Sequence, residues 1–271
     1  MAQTILITGA SSGIGRETAK LFQAKGWNVV ATMRRPEAET ELNAFDNVLV
    51  ARLDVTDLTT IGTAVDQAIE RFGQIDVLVN NAGYGAYGPL EAFPIENIRR
   101  QFDTNVIGLL AVTQAVLPHF RARKAGIIVN ISSIGGKMTF PLGTLYHGTK
   151  FAVEGLSEAL HYEMEAIGVK VKIVEPGAIA TDFGGRSFDF ANDETMTEYQ
   201  GVVQAVMGAM SQLMPGASKP SVVADVIYDA ATDGTATLRY TAGEDAKEYM
   251  ANRKALDDET FIGGLKAQLG M

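Results

Sequence analysis

Short, almost unbroken apolar runs separated by stretches of helical period constrain this chain more than any other feature. The runs TILIT, NVVATM, NVLVARL, IDVLVNNA, GIIVNISS and VKVKIVEP are rich in Val and Ile and are bounded by Gly, Asn, Asp or Pro, the pattern of β-strands. Between them, apolar residues recur at helical spacing over residues 13–25, 58–72, 102–123 and 145–165. A strand that is apolar on both faces has to be covered on both. The pattern therefore predicts an α/β fold, a doubly wound parallel sheet with helices on each side. A last helix-strand pair, SVVADVIYDAAT and ATLRYTAG, brings the sheet to about seven strands.

With 271 residues and 46% hydrophobic content, the chain is sized for one large domain, residues 1–271. The alternation stops after VEPGAIATDF, and residues 183–217 are rich in Met, Phe, Gly and Ala. An insertion of that length after a βα turn is expected to be a substrate lid. The tail, residues 243–271, reads as helical without an evident role. A formal net charge of −9 counts against a nucleic-acid partner, which needs clustered Lys and Arg. The chain has no cysteine and three histidines, so neither a disulfide nor a metal site is expected. The opening MAQTILITGA shows no leader pattern and no apolar run is long enough to span a bilayer, so the expectation is a cytoplasmic protein with no membrane partner.

The first strand leads into TGASSGIGRETAKLF, which places Gly9, Gly13 and Gly15 directly before a helix. Such glycines permit a tight turn and a close approach of backbone to a pyrophosphate, whose charge meets the N–H groups of the helix N-terminus at Ser11, Ser12, Ile14 and their neighbours. The sheet is thus of Rossmann type. About 20 residues on, where an acid would hold the ribose 2′-hydroxyl of NAD, the chain carries Arg34 and Arg35. Two guanidiniums suit a 2′-phosphate, so the cofactor expected is NADP(H) rather than NAD(H).

In LYHGTK, Tyr146 and Lys150 stand one helical turn apart on one face. A free tyrosine, with a pKa of about 10, is a poor acid at neutral pH. A neighbouring ammonium favours the phenolate and is expected to lower that value. Spacing alone equally fits a solvated helix.

The full set of motifs resembles the short-chain dehydrogenase/reductase family. It comprises TGASSGIG (8–15), DVT (54–56), NNAG (80–83), NVIG (105–108), ISS (131–133), YHGTK (146–150) and PGAIAT (176–181), in family order from the first strand to about residue 240. The resemblance implies that Tyr146 is the general acid and base at the substrate oxygen and that Lys150 lowers its pKa and holds the nicotinamide ribose. It implies that Ser133 hydrogen-bonds the substrate oxygen, and that Asn105 interrupts its helix and holds a proton-relay water. Asp54, with Val55, would meet the adenine amino group; Asn81, Ala82 and Gly83 would line the cofactor; Pro176, Gly177, Ile179 and Thr181 would contact the nicotinamide carboxamide. On the residues themselves, Asp54 serves equally as a helix cap and Asn80 and Asn81 as turn formers, and Ser132 replaces Ser133 if the strand runs one residue differently.

Within YHGTK the residues His147, Gly148 and Thr149 depart from the family's commonest wording. Thr149 keeps a hydroxyl, and Gly148 costs roughly 1 kcal/mol of helix propensity while keeping the surface beside the nicotinamide small. His147, about 100° around the helix from Tyr146, reads as a surface or interface residue.

Tyr84, Phe140, Leu142, Phe183, Phe188, Met207 and Met210 lie on the segments that feed the carboxyl edge of the sheet, and they imply an apolar substrate pocket. No cluster of Lys or Arg in the lid asks for a phosphorylated substrate. The expected activity is interconversion of a hydrophobic ketone or aldehyde and its alcohol, the small-molecule partner, by a homodimer or homotetramer. The alternative is a cofactor-binding regulatory protein of the same fold without chemistry, which would need the glycines but not Asn105, Ser133, Tyr146 and Lys150 together.

Overall fold

The computed structural model describes residues 2–181 and 187–271, the side chains of residues 213 and 214 excepted. In chain order the strands are β1 (Thr4–Ile7), β2 (Asn28–Met33), β3 (Val48–Arg52), β4 (Val77–Asn80), β5 (Gly85–Tyr87), β6 (Gly126–Ile131), β7 (Val169–Pro176), β8 (Phe188–Phe190) and β9 (Arg239–Ala242). Seven form one parallel sheet in the order β3-β2-β1-β4-β6-β7-β9. The order reverses direction between β1 and β4, and the crevice at that point, at the strands' carboxyl ends, is where such sheets take ligands.

Period-two alternation explains the two layers. Ile5 and Ile7 of β1 face a core containing Phe22, Trp27, Val223 and Ile227, supplied by α1 (Gly13–Ala24), α7 (Pro220–Thr232) and the turn after α1. Leu6, between them, faces Ile61, Val65, Val112, Val116, Phe120 and Met164 on the other side. Those come from α2 (Leu58–Phe72), α4 (Gly108–Arg123) and α5 (Thr144–Glu165). Burying both faces of every central strand is what demanded uninterrupted Val, Leu and Ile.

Three features go beyond the expected pattern. The helix expected over 102–123 is preceded by α3 (Ile95–Phe102) and joined to it through a π-helical turn, Asp103–Ile107, with Asn105 at its centre. A second, two-stranded sheet pairs β5 with β8, tying the segment after β4 to the insertion after β7. The insertion continues into α6 (Thr197–Leu213), and the tail forms α8 (Glu244–Ala255) and α9 (Asp258–Gln268). Both tail helices pack inward: Ala246, Tyr249, Met250 and Phe261 meet Ile134, Met138 and Phe140 beside the carboxyl edge. Among the described residues no helix is long and apolar enough to cross a membrane, and no group of three or more His, Asp or Glu is placed to hold a metal ion.

Candidate active site

The glycine turn is built for close approach. Gly9 and Gly13 take left-handed φ values of 70° and 54°. A Cβ on Gly15 would collide with the Gly9 carbonyl and the Asn81 amide, so α1 reaches the turn only without a side chain there. Asn81 braces the turn by donating from Nδ2 to the carbonyls of Thr8 (2.9 Å) and Gly9 (3.2 Å). The Thr8 hydroxyl accepts from the N–H groups of Asn81 and Ala82, each at 3.0 Å. Ser12, the N-cap of α1, makes no side-chain cap, and the N–H groups of Gly13, Ile14 and Gly15 have no acceptor among the described residues. Ser11 is exposed beside them. Free N–H groups at a positive helix end form an anion cradle.

The end of β2 lies next to this cradle, joined by the Ala10 N–H to the Thr32 carbonyl at 2.9 Å. Arg34 and Arg35 are exposed there, and neither makes an ion pair or a side-chain hydrogen bond among the described residues. Arg16 and Lys20, by contrast, are engaged: Arg16 meets Glu39 and Glu41, each at 2.6 Å, and Lys20 meets Glu41 at 2.8 Å. The carboxylate of Asp54 uses Oδ1 to accept from the N–H (3.0 Å) and hydroxyl (2.8 Å) of Thr56, while Asp57, not Asp54, caps α2. Oδ2 of Asp54 makes no hydrogen bond among the described residues. Val55 is buried against Gly108, where a Cβ would lie 2.7 Å from the valine Cβ.

Beyond the end of β6, Ser133 adopts an extended backbone and its Oγ accepts from the Gly135 N–H at 3.0 Å. That hydroxyl is hydrogen-bonded to Tyr146 and lies 3.4 Å from the Pro176 carbonyl. Ser132 is buried with its hydroxyl unpartnered, so the register that sends Ser133 towards Tyr146 is the one formed. Lys150 reaches under the tyrosine: its Nζ donates to the Ile131 carbonyl at 2.9 Å and lies 5.7 Å from the centre of the Tyr146 ring. Asn105 is buried, donating from Nδ2 to the Tyr84 carbonyl (2.8 Å) and to the Thr149 hydroxyl (3.1 Å) and accepting from the Tyr84 N–H (3.0 Å). A Cβ on Gly83 would lie 3.1 Å from its Oδ1. The Thr149 hydroxyl therefore ties the Asn105 turn to the tyrosine helix, donating in turn to the Tyr146 carbonyl at 2.7 Å.

Burial dominates the electrostatics. It pushes the Tyr146 hydroxyl above its ordinary value, against the opposing pull of the Ser133 hydrogen bond. It pushes the Lys150 ammonium down to about 8, although the negative charge of Glu154 works the other way. The net shift of Tyr146 is thus upward, opposite to the lowering that its spacing to Lys150 predicts, because burial outweighs the Ser133 hydrogen bond.

The remaining site residues fall into two groups. Pro176, Gly177, Ile179 and Thr181 form a loop whose end packs on the glycine turn, since a Cβ on Gly13 would lie 3.2 Å from Thr181 Cγ2. The loop is held by the Gly177 N–H on the Ala242 carbonyl (3.0 Å), by a bridge between Ile179 and Ser218, and by Asp245 of α8, which accepts from the Ala178 N–H at 2.7 Å. Asp245 gives the tail a task that its sequence did not disclose. Of the expected pocket residues, Phe140 and Leu142 line a cleft of about 410 Å³ together with His147, Gly148 and Phe151. Gly148 is exposed, and a Cβ there would meet only the Phe102 ring at 3.7 Å. Tyr84 is engaged by Arg100, whose Nε donates to its hydroxyl at 3.2 Å. Met210 is half-buried and Met207 is 40% exposed, because α6 turns Val203 and Val206 inward instead. Phe183 lies outside the described residues.

Two residues were misread or missed. His147 is not at the surface: it is 3% exposed, with both ring nitrogens hydrogen-bonded. Tyr87, in the same GYGAYGPL segment as Tyr84, has its ring centre 5.4 Å from that of Tyr146 and 5.4 Å from that of Phe188. Its burial pushes its hydroxyl well above the ordinary range. Tyr87 ends β5, and a three-residue strand is too short to recognise in advance, so its place beside Tyr146 and Phe188 was not legible.

Known proteins bear on this geometry. The family described as short chain dehydrogenase matches residues 3–192. An uncharacterised oxidoreductase of Schizosaccharomyces pombe is 46% identical over 239 residues, covering 88% of this chain and all of that protein. The crystal structure of a short-chain dehydrogenase from Streptomyces avermitilis superposes with a TM-score of 0.84 at 35% identity, covering 98% of this chain and 95% of that one. A structure of ElxO with NADP bound is similar at a TM-score of 0.76 and 28% identity, covering 92% and 100%.

Proposed function

Since this chain belongs to the short-chain dehydrogenase family, and is an oxidoreductase on that account, we propose that it is an NADP(H)-dependent enzyme interconverting a hydrophobic ketone or aldehyde and the corresponding alcohol. The observation that carries the reading is the hydrogen-bonded pair of Ser133 and Tyr146, with Lys150 anchored on the Ile131 carbonyl beneath the tyrosine ring, at the edge that also carries an open helix N-terminus and two arginines without a partner among the described residues. A binding protein needs the cradle but has no use for a half-buried acid beside a half-buried ammonium.

The residues present fit a dinucleotide. Gly13, Ile14 and Gly15 would hold its pyrophosphate, Arg34 and Arg35 a 2′-phosphate, the free oxygen of Asp54 the adenine amino group, and residues 176–181 the nicotinamide. When bound, the reduced cofactor supplies a hydride to the carbonyl carbon. Tyr146 gives its phenolic proton to the carbonyl oxygen as negative charge develops there, and the Ser133 hydroxyl stabilises that charge. Lys150, anchored on the Ile131 carbonyl, offsets the phenolate left behind. Asn105 fixes Tyr84 and Thr149, and a π turn at this point opens the helix so that a water beside Lys150 can return the proton from solvent. The apolar rings of Tyr87, Phe140 and Phe188 support a hydrophobic substrate.

We also propose that the protein is a homodimer or homotetramer, because α5 and the turn before α4 leave Phe151, Tyr162 and Ile107 exposed at 46%, 69% and 56%. The activity is tested by following loss of NADPH absorbance with a panel of aliphatic, aromatic and small polar carbonyl compounds, in parallel with NADH. Bulky apolar ketones with NADPH should be turned over fastest. No turnover of any carbonyl, or equal rates with NADH, would overturn the substrate class or the cofactor preference respectively.

A further inference from the structure

His147 follows Tyr146 directly, yet its ring points into the protein and joins two segments of the active site. The Phe140 N–H can only donate, and it reaches Nε2 at 3.0 Å. The Gly135 carbonyl can only accept, and it lies 2.9 Å from Nδ1. These partners permit one state of the ring: a proton on Nδ1, a lone pair on Nε2, and no net charge. The chain of hydrogen bonds continues past Gly135, whose own N–H donates to Ser133 Oγ at 3.0 Å, and Ser133 is bonded to Tyr146. The backbone at Phe140 is thereby connected through one imidazole to the hydroxyl assigned to the substrate oxygen.

The surroundings are shaped around this ring. A Cβ on Gly135 would lie 2.7 Å from Nδ1, and one on Gly143 would overlap Cδ2 and Nε2. The ring centres of Tyr87, Phe140 and Tyr146 lie 6.0, 5.8 and 5.5 Å away. Residues 137–143, which His147 holds by their middle, include Leu142 at a φ of 64°, a left-handed conformation that costs a branched residue about 1–3 kcal/mol and persists only when neighbours impose it. The Leu142 carbonyl is fixed by the Gly88 N–H at 2.8 Å, and the Phe140 ring meets Tyr249 of α8 edge-on at 5.6 Å. A strained segment held at its middle and at its end is a fixed wall.

We propose that His147 is a positioning residue: as a neutral imidazole it locks residues 137–143 as the apolar wall of the substrate site and, through Gly135, aims the Ser133 hydroxyl. It moves no proton in the reaction. Substrate fit and transition-state stabilisation depend on it, whereas cofactor binding does not. The proposal rests on the assignment of Ser133 and Tyr146 as the reacting pair.

The test compares His147→Leu, which fills the space without hydrogen bonds, with His147→Gln, which retains a donor and an acceptor on one side chain. For reduction of a bulky ketone, His147→Leu should raise KM and lower kcat, with kcat/KM falling roughly tenfold or more, while NADPH affinity stays within about twofold of wild type. His147→Gln should recover a large part of that loss. On the wild-type protein, ¹⁵N NMR of the imidazole, identified by its disappearance in His147→Gln, should report a protonated Nδ1 and an unprotonated Nε2 at neutral pH. Wild-type kcat/KM in His147→Leu, no recovery in His147→Gln, or a proton on Nε2 would each overturn the proposal, and the NMR result decides it should His147→Leu fail to fold. An inactive Tyr146→Phe beside a fully active His147→Leu would sink this inference alone; an active Tyr146→Phe would sink the assignment beneath it.

Discussion

At Tyr146, burial and hydrogen bonding pull in opposite directions. Removing the phenol from water holds the proton on, while the hydrogen bond with Ser133 favours its release. With Lys150 brought down to about 8, most of the protein carries the ammonium at pH 7 and loses it as pH rises through that value. Both the acid form of Tyr146 and its supporting cation are present below about pH 8, so kcat/KM for ketone reduction is expected to fall as pH rises through 8. A pH-rate profile flat across that range would contradict the role given to Lys150. Arg34 and Arg35 invite a second single-residue test. Replacing both by Ser should weaken NADPH binding roughly tenfold or more and leave NADH binding unchanged, measured by nucleotide fluorescence titration. The positions of these side chains were legible from motif and spacing because each depends on one side chain at one register position. His147 was not, since its burial depends on Gly135 and Gly143 vacating space from elsewhere in the chain.

At the level of elements, the strands and most helices follow from the sequence pattern because both periodicities are local. Val and Ile without interruption need cover on two faces, and that requirement alone orders helices about the sheet. What escaped the pattern are features made by long-range contact: the π turn at Asp103–Ile107, the pairing of β5 with β8, and the hydrogen bond from the 176–181 loop to Asp245 in the tail. The joint between β1 and α1 offers the sharpest test of the packing. Gly15→Ala drives a methyl group into the Gly9 carbonyl and the Asn81 amide, and neither can retreat without opening the turn. The variant should lose about 1–3 kcal/mol of stability by chemical denaturation and bind NADPH far more weakly. Wild-type affinity in Gly15→Ala would mean that the turn does not need its close approach.

The whole molecule is one sheet whose carboxyl edge is overlaid by contributions from distant parts of the chain: the segment after β4, residues 137–143, the insertion, and the tail. Its amino-terminal two-thirds supply the glycine turn and the residues proposed to react, and its tail packs against Ile134, Met138 and Phe140 through Tyr249, Met250 and Phe261. The exposed apolar side chains on α5 and the turn before α4 lead to an expected solution mass of two or four chains by light scattering, and a monomer at micromolar concentration would argue that this face is covered by something else. The account stands or falls, however, on the tyrosine. In Tyr146→Phe the ring is retained and one oxygen is lost, so the fold and NADPH affinity should match wild type within about twofold while NADPH-dependent reduction of the best ketone falls at least roughly a hundredfold. Turnover close to the wild-type rate in that variant would contradict it.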